Sequence, residues 1–279
     1  MSAATARDLA AVLYGHDPLP RIVAVEPAGS NSVLLYRRLA GRDGARDAGR
    51  NGAGAVVAET VTYTPWLVVG PEALPLLSGN GFEAVTLAGE GHLNRLLLFS
   101  HRAHQARALA ALRAAVVPHV GYPSAASQYL TLAGRALFHD MRFEDLHRLQ
   151  LDVETTSLRS DAPDAQILLA AVTDNQGHEE VFTARDGGEA ALLRRLTERI
   201  VALDPDVVEG HNLIDFDLSY LAARAERHGL RLTWGRDGSE VWLQEREGRY
   251  KVGARILPSM RVHIQGRHVV DTFQQIQRY

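Results

Sequence analysis

The 279-residue sequence predicts an α/β fold, a mixed sheet with flanking helices, preceded by a smaller α+β domain. Three observations carry that expectation. The chain exceeds the usual size of a single domain, so two compact units are expected. Its second half runs strand, strand, strand, helix, strand, helix when read by apolar periodicity. Its first half groups short alternating apolar runs around a Gly/Arg/Ala/Asp stretch at residues 40–54, too polar and glycine-rich to pack.

In chain order, residues 21–28 and 32–39 read as strands, and 40–54 as a mobile loop. Residues 55–69 alternate well enough for strands, 93–100 make another, and 101–115 a helix. Residues 116–148 form a connector with a helix at 127–137. No catalytic cluster stands out in this half. Its histidines, His101, His104 and His119 among them, do not fall at a metal-ligand spacing.

The second half opens with a strand at 148–154, followed by strands at 166–173 and 179–183 joined by the turn Asp174-Asn175-Gln176-Gly177. A helix at 189–202 places Leu192, Leu193, Leu196 and Ile200 on one face. Val207 and Val208 start a fourth strand, and residues 214–228 form a helix ended by Gly229. Residues 242–252, carrying Glu247-Gly248-Arg249, read as an inserted hairpin.

The first of these strands carries Asp152 and Glu154 one residue apart in an apolar run. Alternate strand residues share a face, with Cα atoms about 7 Å apart, so both carboxylates can reach one hard divalent cation. Taken alone, the pair equally suits a strand end facing water. The downstream segment VVEGHNLIDFDLSYL, residues 207–221, adds a strand, a Gly-His-Asn turn and an amphipathic helix. Asp215 and Asp217 lie about 200° apart around an α-helical axis, so they cannot both face Asp152.

Together, Asp152-Val153-Glu154 and the later Asn212, Phe216 and Asp217 resemble the first two exonuclease motifs, D-x-E and N-x3-F-D, of family B DNA polymerases. The segments Asp204-Pro205-Asp206-Val207-Val208-Glu209-Gly210 and Gly266-Arg267…Asp271-Thr272 resemble that family's connecting segments. The resemblance covers about the last half of the chain. It implies an RNase H-like 3′→5′ exonuclease domain of the DEDD type at residues 147–279, working in proofreading, and a polymerase-B type N-terminal domain at 1–146 that helps contact template strand.

The resemblance also implies two-metal hydrolysis of a phosphodiester at a DNA 3′ end, with single-stranded DNA or a primer-template end as partner. Asp152 would bridge both metals, Glu154 would hold the one that activates water, and Asp217, chosen over Asp215, would serve the other largely through water. Oxygen-only ligands point to Mg²⁺ or Mn²⁺. Asn212, Phe216 and Thr155 are the candidate nucleic-acid contacts. Asn212 equally suits a helix cap, and Phe216 equally suits core packing.

The sequence departs from the family pattern at the third motif, Y-x3-D. No Asp in this chain has a Tyr four residues before it; Asp271 has Arg267 there, and Tyr279 is the last residue. Polymerase palm motifs are absent as well. The chain therefore reads as the N-terminal piece of a longer polymerase-like protein or as a short relative, and as a poor exonuclease by itself. The rival expectation is a non-catalytic nucleic-acid-binding module on the same fold; a nuclease acting on RNA is a third.

Composition bounds these readings. The formal charge of −3 gives no overall attraction to nucleic acid, so any basic surface must be local. With no cysteine, disulfides and thiolate metal sites are excluded. No apolar run is long enough to span a bilayer and the first residues lack a signal-peptide pattern, so a cytoplasmic protein is expected. Lys251 is the sole lysine beside abundant arginine and alanine, a pattern of GC-rich coding more than of function.

Overall fold

A computed structural model describes residues 15–39, 54–89, 91–245, 250–252, 255–257 and 260–277. All but the last residue of the loop expected at 40–54, and the Glu247-Gly248-Arg249 turn, lie outside the described residues. The chain folds as two compact units, with the division between Asp140 and Met141.

In the first unit, β1 (Ile22–Pro27), β2 (Ser32–Arg38) and β3 (Val56–Thr62) form an antiparallel sheet in that order. Ile22, Val33 and Leu35 pack against Ala125 and Tyr129 of α2 (Ala125–Ala133). That helix begins at Ser124, whose side chain accepts from the Ser127 N–H, and ends at Gly134, which takes φ 66°. A second antiparallel sheet, ordered β5-β6-β4-β7, comprises β4 (Trp66–Val69), β5 (Phe82–Thr86), β6 (Arg95–Phe99) and β7 (His119–Val120). Ala108 and Leu112 of α1 (Arg102–Ala114) close it over Leu67, Val69, Leu97 and Phe99. Strands β5 and β7 add to the sequence expectation; β7 falls in what reads as a connector.

The second unit is the mixed α/β domain expected. Its five-stranded sheet runs β10-β9-β8-β11-β16, from β8 (Arg148–Thr155), β9 (Ile167–Asp174), β10 (Glu179–Thr183), β11 (Val207–Gly210) and β16 (His268–Asp271). The first three are antiparallel neighbours, whereas β11 runs parallel to both β8 and β16. Leu149, Leu151 and Val153 of β8 face the core beneath α3 (Glu189–Leu203), whose Leu192, Leu193, Leu196 and Ile200 are fully buried. The alternation that buries these residues turns Asp152 and Glu154 outward together.

After β11 the chain enters a π-helical turn (Leu213–Leu218) that continues as α4 (Ser219–Arg227). The regular α-helix expected from 214 is thus widened over its first turn, a geometry that recurs at functional sites. The hairpin expected within 242–252 is not formed by that segment alone. Instead β12 (Trp242–Glu245) pairs with β15 (Met260–His263), and an inner hairpin joins β13 (Tyr250–Val252) to β14 (Arg255–Leu257). Period-2 patterning identifies strands but not their partners, and here the partner lies beyond a second hairpin.

Two buried charge clusters fix this scaffold. Arg236 reaches Asp204 and Asp206, each at 2.8 Å, while Arg267 reaches Asp204 at 2.7 Å and the Trp234 carbonyl at 2.8 Å. Asp206 also accepts from the His147 N–H, so the cluster ties the entrances of β8, β11 and β16 together. Burial pulls the Arg267 guanidinium down to about 10, with Asp204 opposing. Glu189 accepts from Arg224 at 2.8 and 2.6 Å and from the Ile167 N–H at 2.8 Å, and its carboxylate meets His228 at 2.6 Å. Burial pushes that carboxyl up, but Arg224, His228 and the amide outweigh it and hold it below its ordinary value.

Candidate functional site

Asp152 and Glu154 stand exposed on the outer face of β8, the central strand of the sheet. Asp217 reaches the same strand from the π-helical turn: its Oδ1 accepts the Val153 N–H at 3.0 Å, and the residue is 2% exposed. The amide between the two acidic residues of β8 thereby fixes the third carboxylate. Burial drives the Asp217 carboxyl up to about 7; the Val153 bond opposes this, and the charges of Asp152 and Asp271 add to it. Asp215 is exposed and turned away, accepting from the Met260 N–H at 2.9 Å and from Gln274 at 3.3 Å.

The turn that delivers Asp217 is built from three constraints. Gly210 must be glycine, because a Cβ there would stand 2.7 Å from the Leu151 carbonyl oxygen. Asn212 takes φ 62°, a left-handed conformation that Asn tolerates better than other side-chain-bearing residues. Its side chain makes no cap hydrogen bond, so the cap reading of Asn212 is corrected: its backbone carbonyl accepts Phe216 N–H, and the turn is capped from elsewhere. The buried Asp271 carboxylate does this, accepting the N–H groups of Asn212 at 3.1 Å and Ile214 at 3.0 Å, and also that of Phe273 at the start of α5 (Thr272–Ile276).

The remaining candidates divide. Phe216 is half-buried, packed on the core cluster with its ring 5.6 Å from Tyr220, so part of it remains open. Thr155 follows an irregularity in the β8–β9 register and donates to the Ser157 carbonyl at 2.9 Å. Beside Asp152 lies a concavity of about 390 Å³, whose lining includes Gln150, Ala171, Glu209, His211 and Thr272. The sequence does not pair His211 with Thr272, since the contact between them joins residues 61 apart.

The donor set suits a hard divalent cation in kind and in sign: oxygen atoms only, two exposed carboxylates, and a third whose ionisation is held back first by burial and then by neighbouring negative charge. Among the described residues no three His, Asp or Glu side chains converge closely enough to hold an ion as they stand. No helix among the described residues is long and apolar enough to cross a membrane.

The family model described as DNA polymerase family B, exonuclease domain, matches residues 137–279. A DNA polymerase of Archaeoglobus fulgidus is 35% identical over 118 residues, covering 42% of this chain and 14% of that protein. DNA polymerase 1 of Pyrococcus abyssi is 30% identical over 144 residues, covering 48% of this chain and 17% of its own length. The chain thus spans less than a fifth of these relatives. The solved family B DNA polymerase of the hyperthermophilic archaeon Pyrobaculum calidifontis matches with a TM-score of 0.59 at 19% identity, over 92% of this chain and 36% of that one, a likeness of fold.

Proposed function

This chain belongs to the exonuclease-domain family of family B DNA polymerases, and from that premise we propose that it removes nucleotides from a DNA 3′ end by divalent-metal-dependent hydrolysis. The single observation that carries the reading is the Val153 N–H bond to Asp217, which holds the second-motif carboxylate at the strand bearing Asp152 and Glu154. Mg²⁺ or Mn²⁺ held by Asp152, Glu154 and Asp217 would supply positive charge at the scissile phosphate and acidify a water for attack. The chain's own residues do the positioning. The exposed β8 face presents Asp152 and Glu154 to the phosphate, and Asn212, Thr155 and the open side of Phe216 receive the terminal nucleotide.

Proofreading within a longer polymerase chain, with a primer-template end as substrate and residues 1–146 as a template-contacting domain, is the setting this reading assigns. The alternative is a non-catalytic nucleic-acid-binding module on the same fold. A 5′-labelled single-stranded oligonucleotide with Mg²⁺ or Mn²⁺ separates the two. Slow stepwise 3′ shortening that vanishes in Asp152→Ala supports the nuclease. Binding that ignores both metal and substitution, with no shortening, supports the module.

A further inference from the structure

Thr272 Oγ1 donates its one hydroxyl hydrogen to the Gly210 carbonyl at 3.1 Å, and the same oxygen lies 3.1 Å from His211 Nδ1. With the hydroxyl hydrogen on the carbonyl, which only accepts, the Thr272 oxygen serves as acceptor toward His211 Nδ1. Nδ1 then carries a hydrogen, and in the neutral imidazole the lone pair lies on Nε2. The ring is braced edge-on by Phe273, at 5.3 Å between centroids and 76° between planes. His211 is exposed and lines the same 390 Å³ concavity as Asp152.

Strand register gives the placement. Val207, Val208 and Glu209 of β11 pair with Arg148, Leu149 and Gln150 of β8. His211 directly follows Gly210, the last residue of β11, and shares the lining of one concavity with Asp152. This is the carboxyl end of parallel strands, where ligands of open α/β sheets bind. The walls set the chemistry: Ala171, Gly210 and Leu151 are apolar, while Gln150 and Glu209 are tied to each other and Glu209 also takes Arg148 at 3.0 Å. An acceptor-only nitrogen beside carboxylates is mismatched to phosphate and matched to a neutral hydroxyl donor.

We propose that His211, held by Thr272, is a specificity-determining residue whose Nε2 accepts a hydrogen bond from the 3′-hydroxyl of the terminal nucleotide. The inference rests on the nuclease reading, since a phosphate held at Asp152 through the divalent cation would bring the terminal sugar to this concavity. A nucleotide lacking that hydroxyl leaves Nε2 without a donor and binds more weakly.

The test uses two single-stranded oligonucleotides of one sequence, one ending in a 3′-hydroxyl and one in a 3′-deoxy sugar, both with a hydrolysis-resistant last linkage. Affinity is measured by fluorescence anisotropy in Mg²⁺ for wild type, His211→Ala, His211→Gln and Thr272→Val. The wild type prefers the hydroxyl end by about three- to ten-fold, the value of one neutral hydrogen bond. His211→Ala loses the preference with affinity for the deoxy end unchanged, and His211→Gln, which keeps an acceptor near the Nε2 position, retains it. Thr272→Val, which frees the tautomer without touching the ring, reduces it. Equal preference in wild type and His211→Ala, or none in the wild type, overturns this inference and leaves the nuclease reading standing. Failure of the wild type to bind either oligonucleotide overturns both.

Discussion

Replacing Asp217 by Asn should stabilise the fold at alkaline pH while abolishing its function. The amide has the carboxylate's shape, and its oxygen can accept the Val153 N–H as Asp217 Oδ1 does at 3.0 Å. What it removes is a charge that burial and the neighbouring Asp152 and Asp271 disfavour, raising the carboxyl from its ordinary 3.8 to about 7. The folded state holds this proton more tightly than the unfolded chain, so stability is greatest below the unfolded value and falls as pH rises toward 7. At 1.4 kcal/mol for each tenfold in proton affinity, full ionisation costs about 4 kcal/mol. Asn forfeits the charge-assisted part of the Val153 bond, about 1 kcal/mol or more, which leaves a net gain of roughly 1–3 kcal/mol at pH 8. Urea denaturation of both proteins at pH 5 and pH 8 reads it directly. The advantage of Asp217→Asn should be present at pH 8 and shrink at pH 5. Equal stabilities at pH 8, or a gap that ignores pH, would refute the account of Asp217 as a buried, repelled carboxyl.

Glu189→Ala strands the nearly buried Arg224 without its partner and should cost about 3–5 kcal/mol in chemical denaturation. The wild-type contribution of this carboxylate, whose proton affinity is lowered in the fold, should persist at neutral pH and fade as pH drops below its ordinary value of 4.5. Gly210→Ala places a Cβ 2.7 Å from the Leu151 carbonyl and should cost about 1–3 kcal/mol, measured as a lowered urea midpoint with an unchanged slope.

Much of the second unit is legible in the chain because its signals are local. The alternation of Leu149, Leu151 and Val153 against Asp152 and Glu154 marks both the core face and the outward carboxylates. The apolar stripe of α3 likewise appears as four fully buried residues. Long-range pairing is less accessible: the partner of Trp242–Glu245 lies past an inner hairpin, and no local pattern announces it. The short strand Phe82–Thr86 is exposed over nearly its whole length and so lacks an apolar alternation to betray it.

The candidate site divides along the same line. Strand spacing singles out Asp152 and Glu154, and the family resemblance adds the Asn212-to-Asp217 segment. The capping of that segment by Asp271, the left-handed Asn212 and the widened turn are tertiary facts. Asn at a helix entrance ordinarily signals a side-chain cap. Here the carboxylate of a strand 59 residues away supplies the acceptor instead, and Asn212 contributes its tolerance of positive φ. The Asp-Pro-Asp and Gly-Arg segments acquire their reason only in three dimensions, as the two halves of the Arg236–Arg267 cluster that aligns β11 and β16.

The central claim is that Asp152, Glu154 and Asp217 act together as a divalent-cation site. Calorimetric titration of Mn²⁺ into the wild-type chain and into Asp152→Ala at pH 6, where Asp217 still holds most of its proton, tests it most directly. The account predicts saturable binding to the wild type, with proton release as Asp217 gives up its raised-affinity proton, and loss of that binding in the variant. Binding that survives Asp152→Ala undiminished, or no binding to the wild type, would contradict it.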